Sequence, residues 1–432
     1  MRVVVRAPWR KLDRKEQGLV SRKDLKSLEV NKRTTMKRTG YLFEKISDIQ
    51  TIKTAIHKAA KGKRKRDVVR KILANEDYYA NEIKFMLDNG TYRPAPYATC
   101  VVRDGVRRKE RLISKPHFYP DQIIHWCIYL TLQPVLFHGV YTYTCGSIPG
   151  RGVHYAKKYI ERSLRHDRKH TKYYLQMDVR KFYPSIKIDI LMDMLRRKIK
   201  DRRALDLIAL ILRRSDELPI GILLSQMFAN FYLQDMDHFI KQVLGAAHYV
   251  RYMDDMIIFG NSKRSLHKMR AAISEYLGGI GLHLKDNWQV RRTDAEPPDI
   301  AGFRFYRDRT ILRKSVMLRI TRKVRKIAKK GRISERDAGA IVSYMGWLKC
   351  TDTYSVYEVW VKPYVSVAEC KRVIKRFAKY RNEVTIQNQY LDYLLWNTQM
   401  TYRRKSIVDS LISKTILSKL IIFLRMVKLR LV

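Results

Sequence analysis

Two adjacent aspartates at the centre of a β-forming stretch constrain the fold of this chain more than any other feature. Asp254 and Asp255 separate two apolar runs, residues 248–253 and residues 256–260. Such runs predict a β-hairpin that carries both carboxylates at its tip. Adjacent carboxylates repel each other and gain no core packing, so a cation is expected beside them. A divalent metal ion is the simplest cation that would offset both charges. The alternative is that the two aspartates lie in a solvated turn.

A third carboxylate follows another short strand. Asp178 comes directly after residues 174–177, so its side chain would project from a strand end rather than lie in a core. Three carboxylates on neighbouring strand ends can hold two Mg²⁺ ions about 3.5–4 Å apart, and Mn²⁺ can substitute for them. This arrangement stabilises the attacking and leaving oxygens of a phosphoryl transfer. The sequence therefore predicts a two-metal site.

The charge of the chain indicates a polyanionic partner. Its 432 residues include 89 Lys and Arg against 41 Asp and Glu, a formal net charge of +48 at pH 7. Basic side chains in such excess neutralise nucleic-acid phosphates. The apolar stretches are far shorter than the ~20 residues that cross a bilayer, and the five Cys show no zinc or disulfide spacing. We therefore expect a nucleic-acid partner, no membrane partner, no secretory leader and a reducing compartment.

The segment Tyr252-Met253-Asp254-Asp255 resembles the catalytic signature of reverse transcriptases, which favours a metal site over a solvated turn. The resemblance implies that Asp254 binds the catalytic metal ions and that Asp255 supports the same cluster. It also implies that Tyr252 and Met253 contact the nucleotide.

Residues 178–186 resemble the first metal-binding motif of these polymerases. By this resemblance, Asp178 and the carbonyl of Val179 are metal ligands. Tyr183 would occupy the steric gate that rejects a ribose 2′-hydroxyl. Lys285 stands in a later motif whose basic residue protonates the departing pyrophosphate.

A second predicted hairpin carries two cations on one face. Residues 97–102 and 110–114 read as strands, and Asp104-Gly105 between them is a strong turn signal. Lys109 and Arg111 stand at alternate positions and therefore point to the same side of the strand. The resemblance identifies this strand with the fingers motif that holds the incoming triphosphate.

Residues 218–226 resemble the motif that lines the templating base and the nucleotide sugar, with one departure. Most reverse transcriptases have Gln before the glycine, whereas this chain has Ile220 before Gly221 and Gln226 at the end of the motif. This pattern resembles the enzymes of diversity-generating retroelements, in which an aliphatic residue here is associated with misincorporation at adenines. An alkyl side chain removes a hydrogen-bond anchor, so shape alone discriminates.

Two glycine-containing turns resemble template and primer contacts of the same family. Arg151 and Gly152 match a basic turn that these enzymes place near the template. Ala301, Gly302 and Phe303 resemble the primer-grip turn.

The fold implied by the resemblance is an α+β right hand with fingers, a palm built on an antiparallel sheet, and a helical thumb. Helical spacing also predicts one helix that Ser47 or Asp48 caps and another from Asp67 to about Leu87. The predicted divisions are a basic N-terminal arm (1–40), fingers (41–172), palm (173–312), helical thumb (313–404) and a basic amphipathic C-terminal extension (405–432).

The function implied is RNA-directed DNA synthesis on a structured template RNA, from dNTPs, with a cDNA/RNA heteroduplex as product. A diversity-generating retroelement with a small basic helical-bundle accessory protein, in the cytoplasm of a bacterial or phage-infected cell, is the leading hypothesis. A bacterial anti-phage defence system or retron is the first alternative. A non-catalytic RNA-binding scaffold with vestigial acids is an alternative of another class.

The sequence leaves the role of three features open. Residues 61–66 form a basic run that is either a solvated turn or a phosphate contact. Residues 405–432 alternate aliphatic and basic side chains and could dock on RNA, an accessory protein or a membrane surface. The tryptophans, Trp126 among them, are either core residues or base-stacking platforms, and core packing is the commoner role.

Overall fold

The computed structural model describes residues 38–104, 109–215 and 217–380. All but the last three residues of the predicted N-terminal arm lie outside these ranges. The last part of the predicted thumb and the whole C-terminal extension also lie outside them.

Helices make up most of the described residues. The helices with both ends in the described residues are α1 (Leu42–Ile46), α2 (Ile49–Ala60), α3 (Asp67–Ala74), α4 (Glu76–Asp88), α5 (Ile123–Leu136), α6 (Val153–His166), α7 (Phe182–Ser185), α8 (Ile188–Lys198), α9 (Arg202–Leu212), α10 (Leu223–Tyr232), α11 (Gln234–His238), α12 (Lys263–Gly279), α13 (Lys314–Lys330), α14 (Glu335–Lys349) and α15 (Tyr354–Trp360). Residues 367–380 are helical as well. Two π-helical turns, Phe118–Gln122 and Phe239–Val243, precede α5 and follow α11.

The strands form three separate sheets. They are β1 (Ala98–Asp104), β2 (Lys109–Lys115), β3 (Thr144–Cys145), β4 (Tyr173–Asp178), β5 (His248–Tyr252), β6 (Asp255–Gly260), β7 (Gln289–Arg292), β8 (Asp299–Ile300), β9 (Phe303–Phe305) and β10 (Thr310–Leu312). Strands β1 and β2 form the predicted hairpin, and β8, β9 and β10 form a small antiparallel sheet.

The central sheet has the strand order β3-β5-β6-β4-β7. Its β5–β6, β6–β4 and β4–β7 pairs are antiparallel, and the two-residue β3 joins β5 in parallel. The predicted hairpin around the paired aspartates is therefore confirmed as β5–β6, and the sheet that contains it is antiparallel apart from the β3–β5 pair. This sheet brings strands distant in sequence next to one another.

Both faces of the central sheet are buried, which explains its continuous apolar strands. Leu175 and Ile258 point into one core, which α12 helps to cover. Tyr174 and Ile257, the neighbouring residues on the same two strands, point into a second core that α6 covers. Successive side chains on a strand point to opposite faces, so a strand between two cores needs apolar residues at every position.

The predicted capping of α2 is confirmed. The helix begins at Ile49, and the Asp48 side chain accepts a hydrogen bond of 2.9 Å from the backbone N–H of Thr51. The single helix predicted from Asp67 to about Leu87 is wrong, because Asn75 interrupts it with a non-helical backbone between α3 and α4. The Asn75 side chain donates a hydrogen bond to the carbonyl of Lys71, and such local bonds compete with the helical pattern.

The second core joins the central sheet to the helical region that begins at α13. Ile320 and Val324 of α13 pack with Ile341 of α14 and with the small β8–β9–β10 sheet. The basic residues of α13 lie around a narrow buried stripe, which is the pattern of a helix with one face in a core. Within the described residues, no helix is both long and apolar enough to cross a lipid bilayer.

Replacing Leu175 by Ala should lower the free energy of unfolding by about 2–5 kcal/mol, because it opens a cavity in the first core. The same change at Leu112, whose side chain is 59% exposed on β2, should cost less than about 0.5 kcal/mol. Urea denaturation followed by circular dichroism measures both values. Equal losses would contradict the assignment of Leu175 to a closely packed core.

Candidate active site

The three predicted carboxylates lie at one edge of the central sheet. Asp178 ends β4 and stands directly opposite Asp255, the first residue of β6. Directly opposed residues on an antiparallel pair point to the same face with Cβ atoms about 4.5–5.5 Å apart. Asp254 lies in the two-residue turn between β5 and β6, and its carbonyl accepts a hydrogen bond of 3.4 Å from the N–H of Val179.

The electrostatics of this edge favour a cation. Burial, and then the charge of Asp178, raise the pKa of Asp254. Burial, and then the charges of Asp178 and Asp254, raise the pKa of Asp255 to about 7. A divalent cation bound beside Asp254 and Asp255 would offset the negative charge that raises their pKa values.

The donor set fits Mg²⁺ that is shared with a substrate. Oxygen Oδ1 of Asp178 is buried and accepts no hydrogen bond from any described residue. The described ranges hold no group of three Asp, Glu, His or Cys side chains that could bind a metal ion by themselves. Mg²⁺ commonly takes one or two carboxylates and completes its shell with water and substrate phosphates. Asp178 and Asp254 fit that role, and Val179, whose carbonyl is the third proposed ligand, directly follows Asp178 in the chain and donates its N–H to the Asp254 carbonyl.

Lys285 lies beside the carboxylates, as the motif implied. Its Nζ forms an ion pair with Oδ2 of Asp178, and its backbone N–H donates a hydrogen bond of 2.8 Å to the Asp178 carbonyl. The neighbouring His283 carbonyl accepts a hydrogen bond of 2.8 Å from the N–H of Arg180. The segment that carries Lys285 therefore runs alongside the end of β4.

A buried network that the sequence did not predict supports the hairpin tip, which we define as residues 252–255. Arg251 is fully buried, and its guanidinium donates to both carboxylate oxygens of Asp237, at 2.8 and 2.6 Å. It also donates to the side-chain oxygen of Asn230 at 3.1 Å and to the carbonyl of Met253 at 2.9 Å. The sequence signal that could have predicted this network is an arginine within an apolar strand, because a buried charge needs a partner of opposite charge.

The turn that follows β3 packs against the same tip. Met253 has a left-handed backbone, with φ of 57°. Its N–H donates a hydrogen bond of 3.1 Å to the Cys145 carbonyl, and Asn230 donates one of 2.9 Å to the carbonyl of Gly146. A Cβ on Gly146 would lie 2.9 Å from Cγ of Met253. Only glycine therefore allows this close approach.

Tyr183 lies near both Asp254 and Arg111. Tyr183 is half-buried on α7, and burial together with the charge of Asp254 raises the pKa of its hydroxyl. Arg111 on β2 acts in the opposite direction on the same hydroxyl, so both charges lie near it. Lys109 is the first residue of β2, and its side chain lies outside the described part of the structure.

The loop that contains Ile220 and Gly221 lies directly on β2. The Ile220 carbonyl accepts a hydrogen bond of 2.8 Å from the N–H of Ser114. Gly221 has φ of +102°, and a Cβ there would lie 2.5 Å from the Ile113 side chain. This position therefore requires glycine. Gln226 is half-buried in the first turns of α10.

The predicted template and primer residues lie on two turns. Arg151 donates a hydrogen bond of 3.0 Å to the Tyr141 carbonyl, and Gly152 precedes α6. Ala301 and Gly302 have φ of 52° and 89° in the turn between β8 and β9. Phe303 is fully buried in the second core, so its side chain cannot contact a primer. Any primer contact at this turn would involve the backbone of Ala301 and Gly302.

Comparisons with known proteins agree with the motifs. Residues 107–292 match the family described as reverse transcriptase (RNA-dependent DNA polymerase). The chain is similar to the retron Ec73 reverse transcriptase of Escherichia coli, with 27% identity over 209 residues that cover 44% of this chain and 66% of that protein. A solved telomerase from Candida albicans, in complex with a fragment of telomeric RNA, has a TM-score of 0.37 and 10% identity over 58% of this chain and 55% of that chain.

The family match confirms a reverse transcriptase domain and its α+β right-hand polymerase fold, which the motifs predicted. The similarity to the retron enzyme relates this domain to bacterial reverse transcriptases. The roles of the individual site residues stay predictions, and the geometry places the acids, Lys285 and Tyr183 in one neighbourhood.

Replacing Asp237 by Asn should lower the free energy of unfolding by about 3–5 kcal/mol, because it leaves the Arg251 guanidinium buried without a counter-charge. Asp206→Asn is the matched control, since Asp206 is 74% exposed and its pair with Arg202 spans 3.9 Å. The control should cost less than about 1 kcal/mol. Thermal and urea unfolding measure both variants, and a small cost at Asp237 would show that the pair does not support the hairpin tip.

Proposed function

We propose that this chain is an RNA-directed DNA polymerase that copies a structured template RNA into cDNA by two-metal nucleotidyl transfer. The observation that carries the proposal is that Asp178 lies beside Asp254 and also forms an ion pair with Lys285. The reverse transcriptase match over residues 107–292 supports the same activity. The half-buried carboxyls of Asp254 and Asp255, whose pKa values are raised by burial and by neighbouring negative charge, favour an enzyme over a non-catalytic scaffold.

The acids would hold the reaction centre. Asp178, Asp254 and the Val179 carbonyl are the proposed metal ligands, and Asp255 adds negative charge to the same edge. Bound Mg²⁺, or Mn²⁺ in its place, supplies activation of the primer 3′-hydroxyl and neutralisation of the triphosphate. Strand pairing sets Asp178 opposite Asp255, the residue that follows Asp254, before substrate binds.

The basic residues would act on the triphosphate and on the leaving group. The primer 3′-hydroxyl releases its proton to solvent as its oxygen forms a bond to the α-phosphorus of the dNTP, and the bond between the α-phosphorus and the bridging oxygen breaks to release pyrophosphate. Lys285 would donate a proton to that pyrophosphate, and its ion pair with Asp178 supports this role because it holds the ammonium at the proposed reaction centre. Lys109 and Arg111 would neutralise the triphosphate from the fingers strand.

The residues around the nascent base pair would set specificity. The Tyr183 ring, half-buried near Asp254, would exclude a ribose 2′-hydroxyl. Tyr252 and Met253 would contact the nucleotide from the hairpin tip. Gly221 holds its loop against β2, so Ile220 before it and Gln226 on α10 would shape the pocket for the base pair.

We further propose that the copying is mutagenic at template adenines, as in a diversity-generating retroelement. Support comes from Ile220, which stands where a side-chain amide is usual. An aliphatic residue offers the nucleotide no hydrogen bond and leaves discrimination to shape. A small basic helical-bundle protein is the proposed accessory partner, and the cytoplasm of a bacterial or phage-infected cell is the proposed location.

A retron or an anti-phage defence system is the second candidate, which the similarity to the retron Ec73 reverse transcriptase favours. The two candidates predict different products from the same primed RNA. Errors confined to template adenines support the retroelement, whereas uniform fidelity or a repetitive product supports defence or a retron.

Replacing Asp254 by Asn should reduce primer extension by more than about 100-fold, which exceeds the loss from residues that only orient a metal ligand. The measurement is extension of a DNA primer on an RNA template with dNTPs and Mg²⁺. Asp286→Asn is the matched control, because the Asp286 side chain is 89% exposed and directly follows Lys285. This variant should retain activity.

The same variant separates the enzyme from a non-catalytic scaffold. Asp254→Asn should bind the primed RNA as tightly as the unchanged protein while it loses synthesis. If the unchanged protein never extends the primer, or if the variant extends it normally, the polymerase proposal is wrong.

Replacing Ile220 by Gln should lower the error rate at template adenines by about tenfold, the factor that about 1.4 kcal/mol of added discrimination gives. Sequencing of cDNA made on a template with all four bases measures this rate. Ile220→Leu keeps an aliphatic side chain and should keep the adenine errors. An unchanged error spectrum in the Gln variant would remove Ile220 as the cause.

A further inference from the structure

The end of the central sheet that lies farthest from the proposed reaction centre is strongly basic. Strand β4 begins there with Tyr173, which pairs with Gly260 at the end of β6 and with Arg292 at the end of β7. The strand rises by about 3.3 Å per residue, so Asp178 at its other end lies ~16 Å away. Side chains at this end are therefore remote from the nucleotide that is being added.

Three segments that are distant in sequence bring exposed cations to this end of the sheet. They are the loop between α6 and β4, the first turn of α12 and the end of β7. We call their six exposed basic residues the distal basic face: Arg168, Lys169, Lys172, Lys263, Arg264 and Arg292.

Contacts between the segments hold these cations side by side. The backbone N–H of Thr293 donates a hydrogen bond of 3.1 Å to the Lys172 carbonyl, which ties the end of β7 to the loop before β4. The ammonium groups of Lys172 and Lys263 both lie 5.6 Å from the centre of the Tyr173 ring. The distal basic face is therefore one surface and not three separate patches.

The acidic side chains near the distal basic face already have partners. Asp167 lies 2.9 Å from a ring nitrogen of His170 and 2.9 Å from one of His248. Asp294 forms an ion pair with Arg307. Among the residues that the structure describes, Lys169, Lys172, Lys263 and Arg264 form no ion pair with any acid. Clustered cations without counter-charges repel one another and attract a polyanion.

The first turn of α12 strengthens the positive potential of this surface. Lys263 and Arg264 are the first two residues of the helix, and its first turn contains no acid. Cations at a helix N-terminus oppose the helix dipole, so they cost the helix some stability. The same combination of cations and dipole favours a bound phosphate. These two residues therefore fit a role in binding better than a role in folding.

The aromatic surface of the distal basic face favours duplex RNA over an unpaired strand. Proteins that bind unpaired strands stack the bases on free aromatic rings. Here the half-buried Tyr173 ring already has the ammonium groups of Lys172 and Lys263 over it. Duplex RNA needs no such ring, because proteins recognise it through its shape, its phosphates and its 2′-hydroxyls.

We propose that the distal basic face binds a double-stranded stem of the structured template RNA, outside the stretch that is being copied. Cations from the three segments would contact phosphates of both strands of the stem. The stem would keep the RNA on the protein while the copied stretch moves through the reaction centre. This inference deepens the proposed function and rests on it for the identity of the RNA.

Lys263→Glu combined with Arg264→Glu tests the inference, because acids at a helix N-terminus favour the helix and should leave the fold intact. Fluorescence anisotropy measures binding of a labelled RNA stem–loop of about 16 base pairs and of an unpaired RNA of the same length. The variant should bind the stem–loop about tenfold more weakly, and its affinity for the unpaired RNA should change little. The slope of log affinity against log salt should become shallower by about 0.9 for each lost phosphate contact.

Arg202→Glu combined with Arg203→Glu is the matched control. These residues are also exposed, they are the first two residues of α9, and the change in charge is the same. The control should bind the stem–loop as the unchanged protein does, and thermal unfolding checks the fold of both variants. An equal loss in the control would show that total charge, and not the distal basic face, determines binding.

The unchanged protein is also tested in a stoichiometric complex with a short primer–template. The stem–loop should bind this complex as tightly as it binds the free protein, because the two sites lie at opposite ends of β4. Displacement of the stem–loop would show that the sites overlap. That result, an equal loss of stem–loop and unpaired RNA in the Lys263/Arg264 variant, or no loss at all would overturn the inference.

Primer extension on a short unstructured template separates this inference from the proposed function. The Lys263/Arg264 variant should extend the primer at the rate of the unchanged protein. If the unchanged protein does not extend the primer but the stem–loop effect persists, the polymerase proposal is wrong and the distal basic face still binds a stem.

Discussion

The buried ion pair between Arg251 and Asp237 is the interaction on which the proposed site depends. Two charges removed from water are stable only if each finds a partner and further hydrogen bonds. Tyr249 and Thr144 complete the bonding of the Asp237 carboxylate, and Asn230 completes that of the guanidinium. The pair thereby ties strands β3 and β5 to helices α10 and α11. Nη1 of Arg251 also donates to the Met253 carbonyl, so the same side chain holds the hairpin tip.

The pairing register of β4 and β6 is the second constraint, because it brings Asp178 opposite Asp255. A slip of one residue would turn every side chain of the strand to the other face. Here both faces are buried, so apolar composition alone does not choose the register. Side-chain packing in the two cores and the pairing of β4 with β7 therefore select the register.

Local patterns in the sequence predicted much of this structure. The β5–β6 and β1–β2 hairpins and the Asp48 cap depend on residues close together in the chain, and each is present. The break at Asn75 was missed because its side chain competes with the helix through a local bond that propensity does not reveal. The partners of Arg251 were missed because 14 and 21 residues separate it from Asp237 and Asn230.

The sequence by itself identified the residues that we propose carry the chemistry, since the three acids, Lys285 and the basic strand β2 belong to motifs that resemble those of reverse transcriptases. Only the tertiary structure decided what stands beside each of them. It placed Lys285 on Asp178 across 107 residues of chain and set Gly221 against β2. Spacing along a chain encodes local geometry, whereas contacts between distant segments follow from the packing of whole elements.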